Sequence, residues 1–185
     1  MIKDLDHTAW KPFGGQMELQ HLGAFGTNTA IMHTNRPSLS SGPKQELETS
    51  CFIETKTYQL STHFKLYDEN MAPYACNIDA VWGADDYCIV MALEYDIGTT
   101  TQILNFVSDV TAPWRADEFN FFHKIFTANA ELAVADKIDL HVKGPRAGVS
   151  ILMDEVKLHE YVEPELSCTQ LVRNPSAAVS RMSEI

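Results

Sequence analysis

The stretch Thr57–Tyr67 reads T-Y-Q-L-S-T-H-F-K-L-Y, and its larger apolar side chains recur at every second position. The residues that share this face are Tyr58, Leu60, Thr62, Phe64 and Leu66. Polar side chains fill most of the positions between them. Because successive side chains of a strand point to opposite faces, the pattern predicts a half-buried antiparallel strand.

The same period of two continues along the chain, with short turn-like breaks between the alternating segments. Gly and Pro mark these breaks at 40–43, 83–86 and 144–148. We predict about ten strands, near 16–22, 29–34, 44–49, 57–67, 75–82, 87–96, 100–107, 119–127, 137–143 and 149–161. Helical signal is weak, so 128–136 is predicted to be a loop with one helical turn at most. Many short strands at this spacing predict an all-β antiparallel sandwich.

Composition and charge limit the function classes. The 185 residues, 45% hydrophobic and 21% charged, fit one globular domain. A net charge of -11 with only 14 Lys and Arg disfavours nucleic acid and anionic membranes as partners. No apolar run approaches the ~20 residues that cross a bilayer. A neutral polysaccharide or a cation remains compatible with this charge.

The two ends of the chain carry separate expectations. No hydrophobic signal segment is visible at the N-terminus, which taken literally means a cytoplasmic protein. We expect instead that the natural N-terminus is missing and that the parent protein is secreted. The domain is predicted to span 1–162, and the Pro-interrupted, polar segment 163–185 is predicted to be a linker or tail.

Four cysteines, Cys51, Cys76, Cys88 and Cys168, allow three complete pairings. Cys76 and Cys88 flank what we interpret as one hairpin, so we prefer that pair. Four buried free thiols are the alternative.

Three motifs carry a resemblance to a known family. Segment 35–47 reads N-R-P-S-L-S-S-G-P-K-Q-E-L, segment 56–61 reads K-T-Y-Q-L-S, and segment 149–158 reads V-S-I-L-M-D-E-V-K-L. In this order and spacing they resemble CenC-type carbohydrate-binding modules of the family 4/9 group. The resemblance implies a jelly-roll sandwich of the galactose-binding-domain type that binds β-glucan or xylan without cutting it. Such modules are usually attached to glycoside hydrolases or cell-wall proteins.

Two departures from the family qualify the expectation. The family's first strand is not found at the N-terminus, whereas 168–178 (C-T-Q-L-V-R-N-P-S-A-A) is similar to it. The chain is therefore interpreted as a slice of a tandem array, with a native tail as the alternative. Related xylan binders also place a Trp two residues before the Gly-Pro, where this chain has Ser40.

Sugar rings bind to aromatic faces and to planar polar groups. Candidate ligand residues are Arg36 and Gln45 from the motif, and Trp10, Trp82, Trp114, Tyr74 and Tyr95 among the aromatics. Each has a structural alternative. Strand parity puts Trp82 at least equally well in the core and favours the core for Tyr95. Trp10 can close one end of the sandwich, and Arg36 can pair with a surface carboxylate. The loop position of Trp114 favours exposure.

Asp154 shares strand parity with the apolar residues Leu152, Val156 and Leu158. A carboxylate on an apolar face must be paired, hydrogen-bonded or bound to metal. In the family the matching Asp binds a structural Ca²⁺ together with backbone carbonyls and a Glu from the first strand. Because that strand is not found here, the resemblance implies a calcium site without this Glu. Hydrogen bonds to backbone N–H groups are the alternative.

Motifs for catalysis are missing from the sequence. It has no G-x-S-x-G, no Gly-rich phosphate loop and no zinc spacing, and the acidic pairs 85–86 and 117–118 have loop-like surroundings. We therefore predict a non-catalytic polysaccharide-binding module. The competing hypotheses are a part of a glycoside hydrolase and a structural or adhesion sandwich.

Overall fold

The computed structural model describes residues 3–4, 9–21, 23–26, 29–110 and 112–162. Within these ranges the chain forms eleven strands, one short α-helix and the two 3-10 turns Ala24–Gly26 and Thr49–Cys51. The strands are β1 (Lys3–Asp4), β2 (Lys11–Phe13), β3 (Gln16–Gln20), β4 (Ala30–Thr34), β5 (Gly42–Leu47), β6 (Thr57–Tyr67), β7 (Val90–Ile97), β8 (Thr100–Phe106), β9 (Asn120–Thr127), β10 (Lys137–Lys143) and β11 (Ser150–Glu160).

The strands form two antiparallel sheets. One has the order β3-β4-β11-β6-β9, with β1 also paired to β11, and the other has the order β2-β5-β10-β7-β8. From β4 onward the chain crosses repeatedly between the two sheets. The predicted all-β jelly-roll sandwich is confirmed.

β6 and β10 have the bounds that their alternation predicts. Tyr58, Leu60, Phe64 and Leu66 on β6 are all buried, and Ile138, Leu140 and Val142 on β10 face them from the other sheet. These two central strands define the core because their apolar side chains meet between the layers.

The Gly-Pro at the start of β5 has a packing reason. A Cβ on Gly42 would collide with the backbone carbonyl of Val142 on β10. Only glycine permits this approach, so the residue fixes how closely β5 lies beside β10.

β11 contains an irregularity that the sequence pattern did not predict. Its register against β6 shifts between Asp154 and Lys157, and Glu155 has a φ of 51°. Val156 and Leu158 therefore pack against the core, while Asp154 lies opposite His63 of the outward-facing row of β6. The predicted single face for these residues is wrong, because a bulge reverses the alternation.

The predicted strand at 75–82 is wrong, since the structure has turns and isolated bridges there. The side chain of Asn77 accepts the N–H of Asp79 at 3.0 Å, a local bond that competes with strand pairing. The preferred Cys76–Cys88 disulfide is confirmed and ties this loop to the segment just before β7. Cys51 is a free, exposed thiol.

The predicted helical turn is present as α1 (Ala130–Ala133), capped by Asn129, whose side chain accepts the N–H of Leu132 at 2.8 Å. Within the described chain, no helix has the length and apolarity needed to cross a bilayer. The interpretation of 163–185 as a linker or next-repeat strand, and Cys168 with it, falls outside the described residues.

Candidate functional site

Arg36 is a structural residue. It is 2% exposed, and its guanidinium donates to backbone carbonyls of two loops. The strongest bonds go to the carbonyl oxygens of Ser41 (2.7 Å), Val149 (2.8 Å), Gly144 (2.9 Å) and Pro145 (3.0 Å). Burial lowers the pKa of Arg36 to about 10. With its donors engaged by main chain, Arg36 holds two loops together, which corrects both its ligand role and the expected surface ion pair.

Two of the predicted aromatics belong to the core. Trp10 and Tyr95 are both buried in the main apolar cluster, and the Tyr95 hydroxyl donates to Glu131 at 3.3 Å. Neither ring presents a face to solvent, so the ligand role predicted for them is corrected.

The other three aromatics lie around the 68–89 and 107–120 loops. Trp82 is 48% exposed and packs edge-on against Tyr87, so the alternative of a core position is wrong and its ligand role stays a prediction. The Tyr74 hydroxyl donates to the carbonyl of Asp85 at 3.1 Å. Trp114 is half-buried, and it lines a pocket of about 290 Å³ together with Phe121.

A different group of polar side chains meets on the outer face of the five-stranded sheet. Glu94 on β7 lies beside Lys143 Nζ (2.6 Å), His141 Nδ1 (3.0 Å) and Lys44 Nζ (2.8 Å). Lys44 also pairs with Asp139 at 3.0 Å. We call Lys44, Glu94, Asp139, His141 and Lys143 the sheet-face cluster.

The strand register explains why these residues meet. His141 pairs with Lys44 of β5 on one side and with Ala92 of β7 on the other, and Asp139 pairs with Glu94. Residues two apart on one strand share a face, and directly paired residues lie side by side. β5, β7 and β10 therefore bring their charged side chains to the same side of the sheet.

The sheet-face cluster is recessed. His141 is 1% exposed and Lys143 and Asp139 are also buried, although they stand on the outer side of the sheet. The hydrogen bond with His141 lowers the pKa of the Glu94 carboxyl more than burial raises it. Further bonds from Lys143 and Lys44 also lower this pKa, which lies well below its usual range. Burial disfavours the charge of Lys44, but its bonds to Glu94 and Asp139 outweigh that effect and raise its pKa.

An exposed aromatic ring borders the cluster. Phe13 on β2 is 51% exposed, and its ring meets the His141 ring edge-on at 5.0 Å. The Lys44 ammonium lies 5.6 Å from the centre of the same ring. An apolar ring face beside fixed charged groups suits a ligand with C–H surfaces and hydroxyl groups.

The sequence pattern did not predict this site. The alternation of Asp139, His141 and Lys143 with core residues indicated an outward row, and Phe13 follows the predicted Trp10. These residues meet Glu94 because β5, β7 and β10, which are distant in sequence, pair in a particular register. No local sequence pattern encodes that register.

Asp154 is buried beneath the segment that holds Ala24. Its carboxylate accepts the N–H of Ala24 at 2.6 Å and of Glu155 at 2.8 Å. Among the described residues, no group of three His, Cys, Asp or Glu side chains is placed to hold a metal ion. Two backbone N–H groups thus bond to the carboxylate, as the alternative expects, and a calcium ion at Asp154 stays a prediction.

The fold and the sheet-face cluster together place the protein in a structural class, the antiparallel two-sheet sandwiches with a recessed polar site on one sheet. Solved carbohydrate-binding modules share the fold. The C-terminal family 22 module of Clostridium thermocellum Xyn10B matches with a TM-score of 0.62 at 15% identity, over 85% of this chain and 91% of that one. The CBM22-2 xylan-binding domain of Paenibacillus barcinonensis Xyn10C gives 0.62 at 14% identity, over 84% and 94%.

A third structure, the CBM22-1 xylan-binding domain of the same Paenibacillus protein, gives a TM-score of 0.58 at 15% identity, over 83% of this chain and 86% of that one. At such identity the likeness establishes the fold. No family model matches the sequence, and no curated protein matches it.

Proposed function

We propose that this chain is a non-catalytic module that binds a xylan- or β-glucan-type polysaccharide on the outer face of the five-stranded sheet. The observation that carries the proposal is the recessed sheet-face cluster beside the exposed ring of Phe13. Sugar hydroxyls would bond to Lys143 and Glu94, and a sugar ring would pack on Phe13. The xylan-binding domains that share the fold support this choice of ligand.

The charges of the site argue against glycoside hydrolysis. A general acid must hold its proton near neutral pH, which requires a raised pKa. The pKa of Glu94 is instead lowered, and Asp139 is paired with Lys44 (3.0 Å) and Lys137 (2.9 Å). Glu94 can accept hydrogen bonds from hydroxyl groups but is not prepared to donate a proton, and Asp139 already pairs with two lysines.

The wider setting is part of the same proposal. The module would belong to a secreted or cell-wall protein, as part of a tandem array of the CenC type or attached to a glycoside hydrolase. The Cys76–Cys88 disulfide supports an oxidising compartment.

Affinity gel electrophoresis on xylan and on mixed-linkage β-glucan tests the site. We expect Phe13→Ala to weaken retention by about fivefold or more, since a ring contact of this kind contributes on the order of 1 kcal/mol. Phe121→Ala is the matched control, because it removes an exposed phenylalanine from the opposite sheet.

Equal retention of Phe13→Ala and wild type on both polymers would contradict the proposal. Incubation of the wild type with the same polymers is expected to release no reducing ends. Their release would favour the hydrolase hypothesis.

A further inference from the structure

The core opens at one end of the sandwich into a pocket that is separate from the sheet-face cluster. It lies between the C-terminal halves of β5 and β11 and is closed by the segment that follows β5. Its volume is about 370 Å³, within the usual range of small-molecule sites. We call it the end pocket, and the side chains used below are Gln45, Leu47, Phe52, Tyr58 and Leu158.

Gln45 lines the end pocket and carries a buried, unpaired polar atom. The residue is 7% exposed and stands on the inner side of β5, paired with the core residue Leu140. Its Oε1 atom is buried and has no hydrogen-bond partner among the described residues. A buried acceptor without a hydrogen bond lowers the stability of the fold. Its presence in a native structure therefore suggests that a bound molecule donates a hydrogen bond to it.

The wall opposite Gln45 is apolar and held firmly in place. Phe52 and Tyr58 are both buried, with ring centres 5.2 Å apart. The Tyr58 hydroxyl accepts the N–H of Ile53 at 2.8 Å and donates to the carbonyl of Cys51 at 2.9 Å. These two bonds fix the loop that closes the pocket, so a ligand would meet a preformed site.

The mouth of the end pocket is acidic. It is lined by Glu46, Glu48 and Glu160 and also by His159, and Lys56 lies 2.8 Å from Glu160. This charge disfavours uronates and phosphates. A ligand that fits must donate a hydrogen bond to an amide oxygen, present C–H surface to aromatic rings and carry no negative charge.

We infer that the end pocket is a second binding site, which takes a single neutral sugar residue. One hydroxyl of the sugar donates to Gln45 Oε1, and the ring C–H surface packs against Phe52 and Leu158. The sugar is either a free monosaccharide or the end of a glycan chain. The inference does not depend on polysaccharide binding at the sheet face.

NMR chemical-shift mapping with ¹⁵N-labelled protein tests the inference. The probes are D-xylose, D-glucose and D-glucuronate, each raised to about 20 mM, well above a Kd on the order of 1 mM. We expect the neutral sugars to shift the amide signals of Leu47, Phe52 and Ile53, and glucuronate to leave them in place. Methyl β-xyloside and a reduced xylo-oligosaccharide, which both lack a free anomeric hydroxyl, shift the same signals if the site takes a non-reducing chain end. They leave the signals in place if the site requires a sugar with a free anomeric hydroxyl.

The decisive variant is Gln45→Leu, which removes the acceptor and keeps the side-chain size. We expect it to weaken the neutral-sugar shifts at least about fivefold, the effect of one hydrogen bond. Its melting temperature should be unchanged or higher, because an unpaired buried amide is replaced by an apolar group. A purely structural Gln45 would instead show a lower melting temperature.

Phe13→Ala is the control for the other site, and it should leave the sugar-induced shifts intact. The inference is overturned if no neutral sugar shifts the wild-type signals, or if Gln45→Leu shows the same shifts as wild type. Loss of gel retention in Phe13→Ala tests the sheet face alone, so the two sites can fail separately.

Discussion

Arg36 illustrates how a residue can match a ligand-binding motif and still serve the fold. Its guanidinium lies among main-chain carbonyls of the loop that precedes β5 and the loop that precedes β11. The planar guanidinium can donate to several carbonyls at once in fixed directions, whereas the compact ammonium of a lysine cannot. The arginine of the motif is therefore needed here to hold the two loops together.

We expect Arg36→Ala to lower the free energy of unfolding by about 3 kcal/mol or more, because several buried carbonyls lose their donor. Arg36→Lys should recover little of this loss. Urea unfolding measures both variants, with Arg115→Ala at an exposed position as the control. A change within about 0.5 kcal/mol, as is usual for surface positions, would contradict the structural role.

Individual residues also show where sequence reasoning stopped. The burial of Trp10 and the exposure of Trp82 both depend on which loops cover them, and loops leave no periodic signal. Gln45 was selected through a motif, and the structure places it at the end pocket. Phe13 was missed because its importance comes from His141, a residue far away in sequence.

At the level of elements, prediction succeeded where alternation was long and unbroken. β6 and β10 have their predicted bounds because an apolar residue at every second position leaves one register that buries them all. The segment 75–82 also alternates, through Ile78, Ala80 and Trp82, but local turns and a disulfide fix it as a loop. In β11 one bulge was enough to reverse the faces.

The disulfide should stabilise its loop measurably. Cys76 and Cys88 are separated by 12 positions, and closing a loop of this size contributes about 3 kcal/mol in the chain-entropy treatment. We expect the double variant Cys76→Ser/Cys88→Ser to melt roughly 6–12 °C below the wild type. Differential scanning calorimetry measures the shift, and Cys51→Ser controls for loss of a thiol. Identical melting temperatures would mean that the bond does not constrain the unfolded chain.

At the scale of the whole molecule, the buried His33 and the half-buried Glu94 make the sandwich sensitive to acid. His33 is fully buried on β4, and burial, aided by the charge of Arg36, lowers its pKa from 6.5 to about 4. His141 and the backbone of Gly14 are the other groups that act on it. Between these two values the unfolded chain binds the proton and the folded protein does not, so stability falls as the pH falls.

We expect the free energy of unfolding to decrease by up to about 3 kcal/mol between pH 7 and pH 4 through His33. The lowered pKa of Glu94 adds a loss in the same direction below its ordinary range. Urea unfolding at pH 7, 5.5 and 4.5 measures the slope, which His33→Leu should flatten above pH 4.5. His21→Gln, at an exposed position, should keep the wild-type slope. A parallel slope in His33→Leu would assign the acid sensitivity to other groups.

The position of β11 has a consequence for biosynthesis. β11, the last strand in the described part of the chain, lies between β4 and β6 and also pairs with β1 near the start of the chain. While the ribosome is still making the middle of the chain, β4 and β6 have an empty place between them, and their unpaired edges are open to other molecules. The sheet can close only once residue 160 has emerged, so the nascent chain should depend on chaperones until that moment.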